Sequence, residues 1–219
     1  MLSLLGDDCP REWIEFLEFH QKTLEFKAGA VIIQQGDPVS GIFSIKHGKV
    51  KVVMDDHGEE RLIRLAGDGD ILGHRGLGGD GHYPISSLAL VPTIVNFLPL
   101  PVFHIVARTN AAFVHRLMMF FANELRQAEQ LHLQMPVLNR VARTLMMNYW
   151  AFGLDPDTNR LTYTISRKEI ASHATTTYES VIRSLADLAK RKLIRLDGKA
   201  IAILDPTTLE HLATDPNAL

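Results

Sequence analysis

Between residue 25 and about residue 107 the chain alternates short apolar or β-branched runs with turn residues. The runs fall at residues 31–34, 42–45, 49–54, 61–65, 87–91 and 93–98. Gly29, Gly36, Gly41, Gly48, Gly58, Gly67 and Gly69 punctuate them, with His-Gly and Gly-Asp pairs at the turns. Strand-length runs bounded by such residues predict hairpins, because glycine and aspartate take the backbone angles that tight turns need. Many short strands at even spacing predict a small antiparallel barrel or jelly roll. A helical pattern over residues 11–24 precedes it.

The period changes over residues 108–135. Val114, Met118, Phe121, Leu125, Ala128, His132 and Met135 follow one another at alternating steps of four and three, a heptad seam. Beside it runs a second stripe, Phe113, Leu117 and Phe120. Two stripes can serve two partners, the chain's own barrel and the same helix of a second copy. The other reading is one broad face buried in a monomer. The sustained seam favours the dimer. Pro136 is suited to break this helix and open another, whose stripe is Leu138, Val141, Leu145 and Tyr149. Residues 161–165 alternate like a short strand.

The next segment carries the most chemistry. Ser166-Arg167-Lys168-Glu169 is a capping box opening a helix that runs to about residue 174. Three β-branched residues, Thr175-Thr176-Thr177, are poor helix interior. Thr177 is a good N-cap for a second helix over residues 178–191. Ile170, Ala171, Val181, Leu185 and Leu188 can form a shared core between the two, which predicts a helix-turn-helix. Residues 193–203 read as two strands around Asp197-Gly198, a hairpin placed where a winged helix carries its wing.

Composition modifies this picture. The chain has 219 residues, 46% of them hydrophobic, and a net charge of −2. It can bury real cores, so disordered, collagen-like and disulfide-scaffold classes are excluded. A near-neutral total argues against nucleic acid, but the distribution reverses that argument. Residues 160–199 hold nine basic and four acidic side chains, a net of +5, which leaves −7 for the rest of the chain. A local basic patch attracts phosphates whatever the total charge. The one cysteine, Cys9, can form neither an internal disulfide nor a multi-thiolate cluster. The start of the chain lacks a basic region followed by a long apolar run, so a cytoplasmic location is expected. Residues 81–107 carry no acidic or basic side chain other than histidine. Pro84, Pro92, Pro99 and Pro101 interrupt them, so they read as buried strands and not as a membrane span.

On the exposed start of the second helix lie Tyr178, Glu179, Ser180 and Arg183. Glu179 and Arg183 are four residues apart and share a face. They can form a surface ion pair worth a few tenths of a kcal/mol, or read a base pair, arginine to guanine O6 and N7 and glutamate to cytosine N4. Their place at the front of a recognition helix favours readout.

The order of barrel, long helix and winged helix, with these residues, resembles the CRP/FNR family of bacterial transcription regulators. The similarity covers roughly residues 12–212. It rests on Gly29, Gly36, Gly48, Gly58, Gly69-Asp70 and Gly73 in the barrel. Farther on it rests on Ser166-Arg167-Lys168-Glu169-Ile170-Ala171 and Tyr178-Glu179-Ser180-Val181-Ile182-Arg183. The resemblance implies an α+β chain in three parts: a sensor barrel (1–107), a dimerisation helix (108–135) and a winged helix-turn-helix (136–219). It implies a homodimer on double-stranded DNA at a near-palindromic site, with Ser166, Arg167, Thr177, Tyr178, Glu179, Ser180, Arg183 and Lys199 at the interface. RNA polymerase would be a further partner if the protein activates. The seam residues Val114, Met118, Phe121, Leu125, Ala128 and His132 would then hold the dimer. An effector in the barrel would bias the DNA-binding domains.

Two departures stand in the DNA-binding part. The family's turn usually has glycine where Thr175 stands, so the turn is expected to take another shape. Ile182 replaces a serine that one subgroup uses to read bases.

The effector is a separate question. Cyclic-AMP receptors hold the nucleotide with Gly-Glu-x-x-Leu, then Arg-Ser, and a Thr-Ser pair on the long helix. Those positions are here Gly73, His74, Arg75 and Leu77, then Pro84 and Ile85, then Leu125 and Arg126. The anionic phosphate loses its arginine, so tight cyclic-AMP binding is not expected. The oxygen-sensing branch needs four cysteines for an iron–sulfur cluster, and Cys9 is alone. His74 and His82 could ligate haem or a metal, though without a paired spacing they read first as loop histidines on the surface. Arg75 among Gly76, Gly78, Gly79 and Gly81 could bind an anion, but a flexible loop is the plainer reading. No cofactor or metal site is therefore expected.

Two other function classes remain. A ligand-, haem- or metal-sensing module could dock protein through its winged helix. A barrel enzyme would need a nucleophile–base pair or a metal constellation, and none is defensible in this sequence.

Overall fold

A computed structural model describes residues 10–131 and 135–215. The chain forms two compact units, Met1–Met54 with Ala66–His132, and Asp55–Leu65 with Leu133–Leu219.

A helix, α1 (Arg11–His20), is followed along the chain by strands β1 (Lys22–Phe26), β2 (Val31–Ile33), β3 (Gly41–His47), β4 (Val50–Asp56), β5 (Glu59–Ala66), β6 (Ile71–Leu72), β7 (Ser86–Ala89) and β8 (Thr93–Pro99), all but Asp55–Leu65 belonging to the N-terminal unit. They build two four-stranded sheets, β1-β8-β3-β6 and β2-β7-β4-β5, the jelly-roll arrangement expected from the strand pattern. Residues 21–24 differ from expectation. The helix stops at His20, and Lys22–Phe26 pairs antiparallel with β8, Lys22 opposite Phe97. Long-range pairing overrides the helical pattern there.

Period-two alternation divides the core. On β3, Phe43 and Ile45 point into the barrel with Val50, Val52, Leu72, Ile85 and Val95. Ile42, just before Phe43, points the other way, into a second cluster with Leu17, Leu98, Phe103, Val106 and Phe113. That second cluster is where α2 (Leu100–Thr109) and α3 (Ala111–Leu131) attach. Helix therefore begins at Leu100, not near residue 108, with a proline in its first turn where no N–H is needed. Asn110 divides the two helices. Its amide donates to the Val106 carbonyl (2.9 Å), and its side chain accepts from the Phe113 N–H (2.9 Å), capping α3.

The C-terminal unit holds α4 (Val137–Phe152), α5 (Arg167–His173), α6 (Tyr178–Lys190), the hairpin β9 (Ile194–Asp197) and β10 (Ala200–Ile203), and α7 (Pro206–Thr214). Val141, Leu145, Ile170, Val181, Leu185, Leu188 and Leu209 are fully buried in it. The expected strand over 161–165 shrinks to a single bridge, Leu161 to Leu154. Thr162 is turned aside, its amide on the Gly153 carbonyl (3.2 Å) and its hydroxyl on that of Phe152 (2.6 Å).

Candidate nucleic-acid interface

The capping box forms as read. The Glu169 amide donates to Ser166 Oγ (3.2 Å), and the Ser166 amide donates to Glu169 Oε2 (2.8 Å). These bonds start α5 at a fixed residue, with Arg167 first in the helix. Helix α6 has a simpler cap, Thr177 Oγ1 accepting from the Ser180 amide (3.2 Å). The turn between them departs from expectation. Thr175 stands at φ +48°, the left-handed conformation that glycine would supply. Its amide donates to the Ser172 carbonyl (3.2 Å) and that of Thr176 to Ala171 (3.0 Å), the paired bonds of a Schellman motif. The glycine-type turn is kept, because both orphan carbonyls of α5 are satisfied only in that shape.

Val181, Ser184, Leu185 and Leu188 bury one face of α6, leaving Tyr178, Glu179, Ile182 and Arg183 exposed. Arg183 Nη2 donates to Ser180 Oγ (3.4 Å), and the Thr177 hydroxyl reaches the same oxygen (3.0 Å). Among the described residues Glu179 and Arg183 form no ion pair, so both charged ends face solvent.

The wing is a hairpin with a two-residue loop, Gly198-Lys199, since Asp197 pairs with Ala200. Gly198 takes φ +56°, the angle a type II′ turn needs at its first position. Its inner half is anchored by buried Ile194, Ile201 and Ile203 and by the Leu161 amide on the Ile201 carbonyl (2.9 Å). At its outer end Arg160 pairs with Asp197. Arg167 donates through Nη1 to the Lys199 carbonyl (2.7 Å) and through Nη2 to that of Gly198 (3.3 Å). Partial burial lowers the Arg167 pKa from its usual value, against a raising influence of Tyr178. Ser166 and Arg167, both expected at the interface, are thus already engaged within the domain, and Lys199 is exposed at the loop.

The supposed effector residues are only partly brought together. Gly73 (φ +84°) opens a 3₁₀ turn over His74–Leu77. A side chain on Gly76 would meet Val39 Cγ2 at 2.5 Å, so the start of this glycine-rich segment is packed rather than flexible. His74 is not a surface histidine but 3% exposed, edge-on to Phe120 (5.0 Å) and 3.5 Å from Glu124 Oε2. Arg75 bonds the same carboxylate oxygen at 3.0 Å. His82 stays on the surface beside Asp80 (3.5 Å). Leu77 packs in the second core cluster and Ile85 inside the barrel, while Pro84, Leu125 and Arg126 are exposed. Sequence reasoning missed Glu124 and Tyr83. The Tyr83 hydroxyl donates to the Gly41 carbonyl (2.7 Å) and accepts from the Gly41 and Ser40 amides (3.1 and 3.2 Å). Neither residue belongs to a recognisable short motif. Among the described residues no group of three or more His, Cys, Asp or Glu could hold a metal. No described helix is long and apolar enough to cross a membrane.

On α3 the two stripes separate. Phe113, Leu117 and Phe120 pack into the second cluster. Val114, Met118, Phe121 and Leu125 remain 41%, 57%, 36% and 62% exposed. Met135, the last seam position, is buried in the C-terminal unit instead, and His132 lies outside the described residues. Ala128 lies within α3.

Comparisons with known proteins agree with this geometry. Residues 23–110 match the cyclic nucleotide-binding domain, and residues 139–212 match the Crp-like helix-turn-helix domain. The chain belongs to the CRP/FNR family of transcription regulators. Members of this family are regulators, not enzymes. The chain is 27% identical to the transcriptional activator protein Anr of Pseudomonas protegens, over 85% of this chain and 78% of that one. It is 28% identical to the cyclic AMP receptor protein of Thermus thermophilus, over 94% of each. In fold it is similar to FixK2 from Bradyrhizobium japonicum, with a TM-score of 0.75 at 19% identity, covering 89% of this chain and 98% of that one. DNA binding through the helix-turn-helix follows from the family.

Proposed function

We propose that this CRP/FNR regulator binds a near-palindromic duplex as a homodimer in the cytoplasm, with Glu179 and Arg183 reading a shared G·C pair in each half-site. The observation that carries the reading is the unpaired, exposed Glu179 and Arg183 on one face of a capped helix whose other face is buried. An arginine free of its neighbouring carboxylate can give two bonds to guanine, and the carboxylate can accept from cytosine. Tyr178 and Lys199 are placed to meet backbone phosphates beside that contact. Ser166 and Thr177 act indirectly, by fixing the two helix starts. The exposed stripe of α3 supplies the dimer contact, through Val114, Met118, Phe121 and Leu125 and, one heptad on, Ala128 and His132.

The sensor does not fit cyclic AMP. Arg75 is held by Glu124, Pro84 offers no donor, and Ile85 is committed to the barrel core. A cyclic phosphate would be desolvated without a partner. Nor does the sequence supply the ligands of a four-cysteine iron–sulfur cluster, since it holds one cysteine.

Binding to a selected duplex, followed across salt concentration, tests the reading. The affinity should fall steeply with salt, and Arg183→Ala should weaken specific binding by about tenfold or more, a lost bidentate base contact. Undiminished specific binding in that variant, or capture of a protein partner in place of DNA, would overturn it.

A further inference from the structure

We propose that Arg167 is a positioning residue for DNA recognition, its guanidinium clamping the wing loop so that Lys199 reaches its phosphate only while the clamp is closed. The proposal rests on the DNA reading above. An arginine on the basic face of such a domain would ordinarily be assigned to a phosphate. Here its two terminal nitrogens donate to two consecutive carbonyls, Gly198 and Lys199, at 3.3 and 2.7 Å. A planar fork suits that task, whereas a lysine ammonium is a single point and cannot span both acceptors.

The wing needs such a clamp. Residues 195–199 are all exposed, so the loop and the strand leading into it bury no side chain of their own. A hairpin with four residues per strand is marginal unless something outside it supplies contacts. Among the described residues the side-chain contacts on this stretch are the Arg160–Asp197 pair, a long bond from Arg195 to the Thr158 carbonyl (3.5 Å) and, at the loop itself, the two bonds from Arg167. Arg167 can impose a position because its own backbone is fixed. It is the first residue of α5, set by the Ser166–Glu169 capping box. One side chain therefore ties the wing loop to the start of α5, the first helix of the helix-turn-helix.

The test uses the full chain with Arg167→Lys, Arg167→Ala, Lys199→Ala and the double variant Arg167→Lys/Lys199→Ala, each titrated with the same duplex over a range of salt. Each single variant should weaken binding by roughly tenfold, a lost charge-assisted contact. The double variant should be no weaker than the worse single one, because Lys199 is already displaced. The slope of log affinity against log salt should shrink by about one in Arg167→Lys even though the positive charge is kept. In the free protein, amide exchange at Gly198–Ala200 should accelerate while the amides of α6 keep their protection. Wild-type affinity in Arg167→Lys, or additive losses in the double variant, would show Arg167 meeting phosphate itself and end the proposal. If the wild-type protein bound no duplex, the DNA reading would fall and the clamp with it. Loss of binding in Arg183→Ala beside a silent Arg167→Lys would end the clamp alone. Arg167→Lys carries the test should Arg167→Ala fail to fold.

Discussion

The amide of Thr175 donates to the carbonyl of Ser172 at 3.2 Å while Thr175 holds a left-handed backbone, φ +48°. A β-branched residue in that conformation costs roughly 1–2 kcal/mol, because its Cβ crowds the following carbonyl. Glycine removes that strain but adds freedom to the unfolded chain, which returns part of the gain. Thr175→Gly should therefore raise stability by about 0.5–1 kcal/mol, seen as a higher denaturant midpoint. Thr175→Ala keeps the strain and should not. Thr175 is exposed and lies outside the readout face, so duplex affinity should stay unchanged in both. A Thr175→Gly protein no more stable than wild type would mean the turn carries no strain.

Tyr83 makes a comparable prediction in the barrel. Its hydroxyl serves the carbonyl and amide of Gly41 and the amide of Ser40, and the residue is only 4% exposed. Tyr83→Phe keeps the ring but strands these buried backbone groups, at a cost of about 1–3 kcal/mol. Thermal unfolding of the two proteins measures it. An unchanged midpoint would show that water or backbone relaxation replaces the hydroxyl.

Much of this was legible in the sequence, and the reasons differ from place to place. The Ser166–Glu169 box and the Thr177 cap are local chemistry, so four residues suffice to read them. The two stripes of α3 are periodic over several turns, and from Phe113 to Leu125 each falls where its period puts it, whereas Met135 leaves the seam for the C-terminal unit. Residues 21–24 depart from their helical pattern because the strand that begins at Lys22 is set by β8, far away in the chain. The same holds for His74. Its neighbours Phe120 and Glu124 lie on α3, and no spacing around a glycine-rich turn announces that such a turn is packed. Thr175 shows the converse case, a residue type that argues against a turn which the surrounding carbonyls nonetheless require.

The exposed stripe of α3 predicts the oligomeric state. Met118 and Leu125 are 57% and 62% exposed, so a charge at either position should leave the isolated fold nearly unaltered, within about 0.5 kcal/mol. In a dimer each would bury an unpaired carboxylate opposite its symmetry mate, which a coiled-coil seam does not tolerate. Met118→Glu and Leu125→Glu should therefore sediment as monomers where the wild type sediments as a dimer, with unchanged helix content. Phe113→Ala, on the packed stripe, should instead lower stability by about 3–5 kcal/mol. A dimer that survives both glutamates would place the contact elsewhere.

His173 gives the last prediction, one of pH. It lies on α5 with Nδ1 2.9 Å from Thr144 Oγ1. The Thr144 hydroxyl donates to the Arg140 carbonyl (2.9 Å), so its oxygen is left to accept and the His173 ring is the donor. A second proton would have to enter beside Arg143 and Arg61. Burial first, then those two cations, push the His173 pKa down to about 4 from the usual 6.5. The folded state therefore prefers the neutral ring. The unfolded chain takes up a proton near pH 6.5 and the folded one only near pH 4. The contribution of His173 is complete above pH 6.5, declines as the pH falls from there toward 4, and changes no further below that. The ring keeps some solvent contact, so the loss should be about 1–3 kcal/mol, less than the full shift would imply. His173→Gln retains a donor for Thr144 and cannot titrate, so its stability should stay flatter than wild type across this window. Denaturant unfolding of both proteins at pH 7.5, 6, 5 and 4 measures the difference. Parallel curves would mean that His173 is protonated in the folded state as readily as in the unfolded one, and that the two arginines do not reach it.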